Sequence, residues 1–248
     1  MKRTCLQCQA QIDVPEGSAC PQCGNTPVVA AAISEMTMPV RLGKHPVKLN
    51  LVLQIDRTGS SGAFTTGIAS TNERVLAILK ETVQEIVVTV STHGDLDYGE
   101  QYMNLVTQGT PDEALSAIRG VTYAGGGDEN ETHGQALLTA LETMVWSADP
   151  MERNILIAFL TADSKDLKDG KTFGQLGKEF KTRRIKLVLV CQPTAKLQEL
   201  CDAAGGQMIP ISNDPSQDEL RKVAASLTKT LTIIAGSSGT VRLPAQNA

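Results

Sequence analysis

The chain is poor in aromatic residues. Phe, Trp and Tyr make up 3% of its 248 residues, so its interior has to be filled with aliphatic side chains. Long apolar runs are also missing: none reaches the roughly 20 residues that a membrane-spanning helix needs. Cationic residues are in slight deficit, with 23 Lys and Arg against 27 Asp and Glu and a formal charge of -4. That balance disfavours broad binding to nucleic acid, whose phosphates call for a basic surface. The N-terminus, MKRTCLQCQAQIDVP, opens basic but has no apolar core behind it, so it lacks the signal-peptide pattern and a cytoplasmic protein is expected. The Gly-Lys-Ser/Thr ending of a P-loop and the GxGxxG dinucleotide fingerprint are both absent, and no Ser/His/Asp order stands out. His93 and His133 fall in separate loops without metal-ligand spacing. A non-enzymatic role is therefore expected.

Hydrophobic residues still amount to 41%, enough for a sizeable core. VKLNLVLQID, VVTVS, NILIAFLTA and IKLVLVC are nearly continuous apolar strands, with QYMNLVT as an edge strand and QMIPIS as a short one. Helical spacing marks ERVLAILKETVQEI, with Val75, Leu79, Val83 and Ile86 on one face and a Ser70/Glu73 capping box, or a start nearer Thr65. It also marks PDEALSAIRG, then THGQALLTALETMV with Leu137, Leu141, Met144 and Val145 buried, then TAKLQELCDAAGG and SQDELRKVAASLTKTL. Strands too apolar to have a wet face, alternating with helices, predict an α/β fold with a doubly wound, mostly parallel sheet.

Four of the six cysteines cluster near the start, as Cys5-Leu-Gln-Cys8 and Cys20-Pro-Gln-Cys23. CxxC pairs separated by eleven residues suit two knuckles around one tetrahedral Zn²⁺. A module of about 25 residues has little core of its own, so structural zinc would supply much of its folding energy. The expected organisation is a zinc ribbon over 1–27, a linker over 28–47, the α/β domain over 48–235 and a tail over 236–248. Few basic residues and no aromatics accompany the knuckles, which favours protein contact over nucleic acid for the ribbon. Cys191 and Cys201 are expected to be ordinary buried thiols.

Ligands of doubly wound sheets bind beyond the C-terminal ends of the strands. The loops there are DRTGSS, THGDLDYGE, AGGGDENET and TADSKD. Asp56, Thr58 and Ser60 alternate, so an extended turn can aim all three at one point. Asp128 follows three glycines, and Asp163 follows a buried strand. Oxygen donors from separate loops suit a hard cation such as Mg²⁺. The plainer alternative is a turn capped by Asp56, with local hydroxyl bonds.

These motifs carry a resemblance. From about Lys48 to Ile234 the chain resembles a von Willebrand factor A (VWA) domain, whose metal-ion-dependent adhesion site has the pattern Asp-x-Ser/Thr-x-Ser, then Thr or Asp after a Gly-rich loop, then Asp after the fourth strand. DRTGS matches the first part, GGGDENE is similar to the Gly-Gly-Gly-Asp-x-Pro-Glu variant of intracellular members, and LTAD matches the last. The resemblance implies a divalent-cation site at Asp56, Thr58, Ser60, Asp128, Thr132 and Asp163. Two arrangements of the middle loop stay open. Thr132 binds directly with Asp128 acting through water, or the site is mainly structural, because a directly bound Asp128 would quench the cation's attraction for a partner's carboxylate. Thr132 also opens a Thr-x-x-Gln capping box, the favoured reading of that residue. Asp95, Asp97 and Glu131 are expected at the rim of the partner-binding face, with a solvated acidic loop and a solvated first-turn acid as the plainer readings. The implied function is an interaction module of the bacterial cytoplasm. Its partner would be a protein such as an AAA+ ATPase, kinase or phosphatase of a stress or defence system. A subunit with a purely stabilising metal site and a nucleic-acid adaptor using the ribbon are the alternatives.

Overall fold

The computed structural model describes residues 3–4, 11–12, 45–99, 104–212 and 214–234. The chain divides into two compact units, Met1–Arg41 and Leu42–Ala248. In the first, β1 (Arg3–Thr4) pairs antiparallel with β2 (Gln11–Ile12). Cys5, Cys8, Cys20 and Cys23 lie outside the described residues, as does the expected tail from 236 onward.

The second unit is the α/β domain. Its first strand, β3 (His45–Asp56), starts inside the span expected to be linker. The chain continues through α1 (Thr65–Thr82), β4 (Val83–His93), β5 (Asn104–Gly109), α2 (Pro111–Arg119), β6 (Asn130–Glu131), α3 (His133–Thr143), β7 (Arg153–Phe159), β8 (Asp163–Ser164), α4 (Phe173–Thr182), β9 (Ile185–Cys191), α5 (Ala195–Ala204), β10 (Gln207–Pro210) and α6 (Gln217–Ile234). Among the described residues, six strands form one sheet in the order β10-β9-β7-β3-β4-β5. Every pairing in it is parallel except β4 with β5. This is the mixed α/β, mostly parallel architecture that the apolar strands predict.

Strand parity divides the core in two. Leu49, Leu51, Leu53 and Ile55 of β3 face a cluster with Leu76 and Leu79 of α1, Ile118 of α2, and Val223, Leu227 and Leu231 of α6. The opposite face holds Leu137 and Leu141 of α3, Leu176 and Phe180 of α4, and Leu197 and Leu200 of α5. On that second face β3 turns polar, with Gln54 and Asp56 buried at 0% and 1% exposure. The polar stripe leads to the C-terminal end of the sheet.

Several sequence expectations are corrected. α1 stops at Thr82, so Val83 and Ile86 belong to β4. Their three- and four-residue spacing fits a helix, but parallel pairing with β3 (Leu49 beside Ile86) claims them for the sheet. Because α1 starts at Thr65, Ser70 is no cap; its hydroxyl donates to the carbonyl of Gly67 at 3.2 Å. α3 ends at Thr143, leaving Met144 half-buried and Val145 exposed. α4 was not expected at all. It opens on a capping box between Thr172 and Gln175, and it packs so closely on α5 that a Cβ on Gly177 would meet the Leu200 carbonyl at 2.4 Å.

Candidate functional site

β3 delivers Asp56 to the C-terminal edge of the sheet, level with His93 at the end of β4. The DRTGS turn then folds back on that carboxylate. The Thr58 backbone N–H and hydroxyl both donate to Asp56 Oδ1, at 2.9 and 2.8 Å. Thr161, just past β7, donates its hydroxyl to Asp56 Oδ2 at 2.6 Å. The hydroxyls of Thr58 and Ser60 lie 3.0 Å apart, and Thr161 Oγ1 is 3.1 Å from Ser60 and 3.2 Å from Ser61. The alternation of Asp56, Thr58 and Ser60 therefore does gather three oxygen donors. Thr161 and Ser61 join them without having been expected.

The glycine-rich loop lies directly on this turn. Gly59 N–H donates to the Gly125 carbonyl at 3.0 Å, and Ala124 N–H to the Arg57 carbonyl at 2.9 Å. Such an approach leaves little room for side chains: a Cβ on Gly59 would meet the Gly125 carbonyl at 3.2 Å. Gly126 has φ +73, a left-handed conformation that favours glycine. The loop then pairs with the segment after β7, Asn130 beside Asp163 and Glu131 beside Ser164.

Asp128 points elsewhere. Its Oδ2 pairs with Lys165 Nζ at 3.0 Å. The same ammonium reaches Asp95 Oδ2 at 2.6 Å and Asp97 Oδ2 at 2.9 Å, and lies 5.7 Å from the centre of the Tyr98 ring. Burial pulls the Lys165 ammonium down, but the bonds to Asp95, Asp97 and Asp128 outweigh it and raise its pKa above the ordinary lysine value. Asp95 is wholly buried here, which overturns its reading as a solvated loop acid, whereas Asp97 is exposed.

Thr132 does not form the expected cap. The Thr132 side chain makes no capping bond to α3; its hydroxyl donates to the Gly94 carbonyl at 3.1 Å. The Ser164 hydroxyl instead accepts from Gly134 N–H in the helix's first turn, at 2.8 Å. Glu131 is not a solvated first-turn acid either. It is 3% exposed, drawn inward by the pairing of β6 with β8, and Oε2 has no hydrogen-bond partner among the described residues. Burial and the negative charges of Asp56 and Asp95 push its carboxyl up to about 7. Asp163 is half-buried, with Oδ1 accepting from Ser164 N–H at 2.8 Å.

Behind Asp56 runs a buried hydrogen-bonded chain that sequence spacing did not reveal. Ser91 Oγ donates to Gln54 Oε1, which leaves Gln54 Nε2 to donate to His93 Nδ1 at 3.0 Å. His93 Nε2–H then faces His133 Nδ1 at 2.9 Å. This ordering directs His133 Nε2–H at Asp56 Oδ2, 4.0 Å away, with no hydrogen-bond partner among the described residues. Both histidines are fully buried. Desolvation lowers both rings, His93 to about 3, so they are neutral at pH 7. Burial pushes the Asp56 carboxyl up, but the pull of the imidazoles and the bonds from Thr161 and Thr58 prevail and bring it to about 2. At neutral pH, with both rings uncharged, the hydrogen bonds sustain the Asp56 charge.

Among the described residues, no group of three or more carboxylate, imidazole or thiolate side chains is arranged to hold a metal on its own. The donors around Asp56 are instead mostly hydroxyls, and two buried polar atoms close to them, Glu131 Oε2 and His133 Nε2, stand orphaned. The clustered oxygens, with Glu131 Oε2 unsatisfied beside them, fit a hard, partly hydrated cation; His133 Nε2–H is a donor that faces Asp56 and is no ligand for one.

No family model matches the sequence, and no curated protein matches it. In structure the chain is similar to the crystal structure of the SpRpn10 VWA domain, with a TM-score of 0.55 and 16% identity over 78% of this chain and 98% of that one. The chain thus has a VWA-like fold. Among the described residues, no helix is long and apolar enough to cross a membrane.

Proposed function

We propose that the chain is a non-catalytic protein-interaction module that engages its partner with the loops at the C-terminal end of the sheet. In this reading Asp56, Thr58 and Ser60 hold Mg²⁺ or a similar divalent cation at that face, with Asp163 beside them. The observation that carries it is the buried Asp56 carboxylate, ringed by the hydroxyls of Thr58, Ser60 and Thr161 where a parallel sheet presents its ligands. The cation would supply a positive centre there for a partner's oxygen to approach. Cys5, Cys8, Cys20 and Cys23 would hold structural Zn²⁺ in a ribbon that aids docking. A cytoplasmic setting and a partner such as an AAA+ ATPase, kinase or phosphatase of a bacterial stress or defence system belong to the same reading.

Titration calorimetry with MgCl₂ on the full chain and on Asp56→Asn tests the cation site. Wild type should bind and the variant should lose at least about tenfold in affinity, since one charge-bearing oxygen donor is gone. Equal heats for the two proteins would remove the site from the proposal.

One observation favours a second reading, a purely stabilising site. Both oxygens of Asp56 already accept hydrogen bonds inside the chain, and Lys165 already neutralises acids of the neighbouring loops. If Mg²⁺ raises the melting temperature but leaves partner retention on an affinity matrix unchanged, the stabilising reading holds.

A further inference from the structure

We infer that the loop joining α3 to β7, residues 144–152, is a second docking surface, and that it receives a partner-protein segment whose apolar anchor is flanked by carboxylates. The loop lies at the N-terminal ends of the strands, since Arg153 opens β7 beside Leu49 of β3, whereas Asp56 closes β3 at the other end. The inference therefore stands apart from the cation reading.

The loop exposes what a folded chain ordinarily covers. Val145 is 77% exposed and Met151 60%, the former at a position whose spacing predicts burial in α3. Trp146, the single tryptophan of the chain, is half-buried against the core cluster of α3, α4 and α5. Its indole N–H donates to the Leu141 carbonyl at 3.1 Å, which fixes a ring that stays partly open to solvent. Trp, Met and Arg are the residues that protein-binding surfaces favour.

Two buried amides tie the loop down. Asn50 Nδ2 donates to the Val145 carbonyl at 2.9 Å. Asn154 Nδ2 donates to the Ser147 carbonyl at 2.8 Å, and Asn154 Oδ1 accepts from Ser147 N–H at 3.1 Å. Further along, Met151 N–H donates to Asp149 Oδ1 at 2.8 Å. A backbone so fixed holds Val145 and Met151 outward before any partner arrives, so little ordering is left to offset the gain from covering them.

Charge selects the occupant. The Arg183 guanidinium donates to the same Leu141 carbonyl as Trp146, at 2.7 Å, and so lies beside the indole. Arg153 donates to the Pro150 carbonyl at 2.6 Å. Neither arginine pairs with a carboxylate among the described residues, and Lys181 and Arg184 are exposed at the same end of α4. Of the nearby acids, Asp149 is held by Met151 N–H, Glu152 pairs with Lys48 at 3.5 Å, and Glu142 is exposed in the last turn of α3. Positive charge is thus in excess around an apolar centre. A second copy docked face to face would set arginine against arginine, and exposed Val145 and Met151 offer nothing to a phosphate backbone. An apolar side chain flanked by Asp or Glu satisfies both parts of the surface.

The test selects a random peptide library on the full-length chain. Enriched peptides should combine Leu, Ile or Phe with Asp or Glu, and titrating the best of them should shift Trp146 fluorescence saturably. Val145→Asp and Arg183→Glu should each weaken that binding at least about tenfold, while Asp56→Asn changes it less than about threefold. Circular dichroism checks the fold of each variant; Val145 is exposed, so its variant decides the matter even if Arg183→Glu does not fold. No enrichment, enriched peptides without acids, or wild-type affinity in Val145→Asp would overturn the inference. So would an oligonucleotide that binds as tightly as the peptide, which would leave charge alone as the cause. A wild-type dimer in sedimentation velocity that Val145→Asp dissolves would overturn it in favour of a second copy.

Discussion

Two acidic clusters share the C-terminal end of the sheet, and they solve the problem of buried charge differently. Around Lys165, three aspartates from two loops converge on one ammonium, at 2.6, 2.9 and 3.0 Å. Around Asp56, no lysine or arginine among the described residues bonds the carboxylate; hydroxyls, a backbone N–H and neutral histidines surround it instead. The first cluster carries its own cation and is complete. The second has orphaned atoms on Glu131 and His133. Ion pairing within the chain locks loops together, whereas hydrogen bonds without a counter-ion preserve a charge for something outside the chain to meet. In the proposed function, that difference makes one cluster a scaffold and the other the binding site.

The sharpest way to break this contrast is to remove the internal cation. Lys165→Met leaves Asp95 buried without its ammonium partner, and loss of one member of a buried pair costs about 3 kcal/mol. Urea denaturation should show that loss, and a change below about 1 kcal/mol would mean the cluster does not pin the loops.

A somewhat smaller effect should appear with pH at the other cluster. The Glu131 carboxyl lies at about 7 in the fold against 4.5 as its ordinary value. Between those values the folded chain holds a proton that the unfolded chain has released. Its contribution to stability is thus fully present below pH 4.5 and lost as pH rises to about 7, by about 2–3 kcal/mol in metal-free buffer. Glu131→Gln should flatten that stretch of the stability curve, and an unchanged slope would contradict the burial of the acid.

The smallest effect is expected at the glycine between Thr58 and Glu131. Gly126→Ala puts a side chain at φ +73 and within 3.1 Å of Glu131 Oε1, which should destabilise the domain by about 1–2 kcal/mol. A neutral result would show that the loop relaxes away from Thr58.

Much of this could be read from the chain. Apolar runs located the central strands, and Asp56, Thr58 and Ser60 were legible because alternation in a turn brings side chains to one side. α4 left a signal, with Thr172 and Gln175 as a capping box and Phe173, Leu176 and Phe180 at helical spacing, but Gly174 and Gly177 interrupt it. Val83 and Ile86 satisfied helix and strand patterns alike, and only the partner strand decided between them. At the site, Thr132 and Glu131 were misjudged for one reason. Both flank a helix start, where local rules predict a cap and a solvated acid, but pairing of β6 with β8 turned them inward.

The sequence by itself thus determined the α/β layering and the turn that carries Asp56, because both follow from periodicities within a few residues. Tertiary structure alone decided which acid meets which cation. Lys165, Asp95 and Asp128 are separated by tens of residues, and their choice of partner depends on where the strands end and how the loops close above them. The same closure, by committing Asp128 to Lys165 and burying Glu131, separated a self-contained charge cluster from one left open.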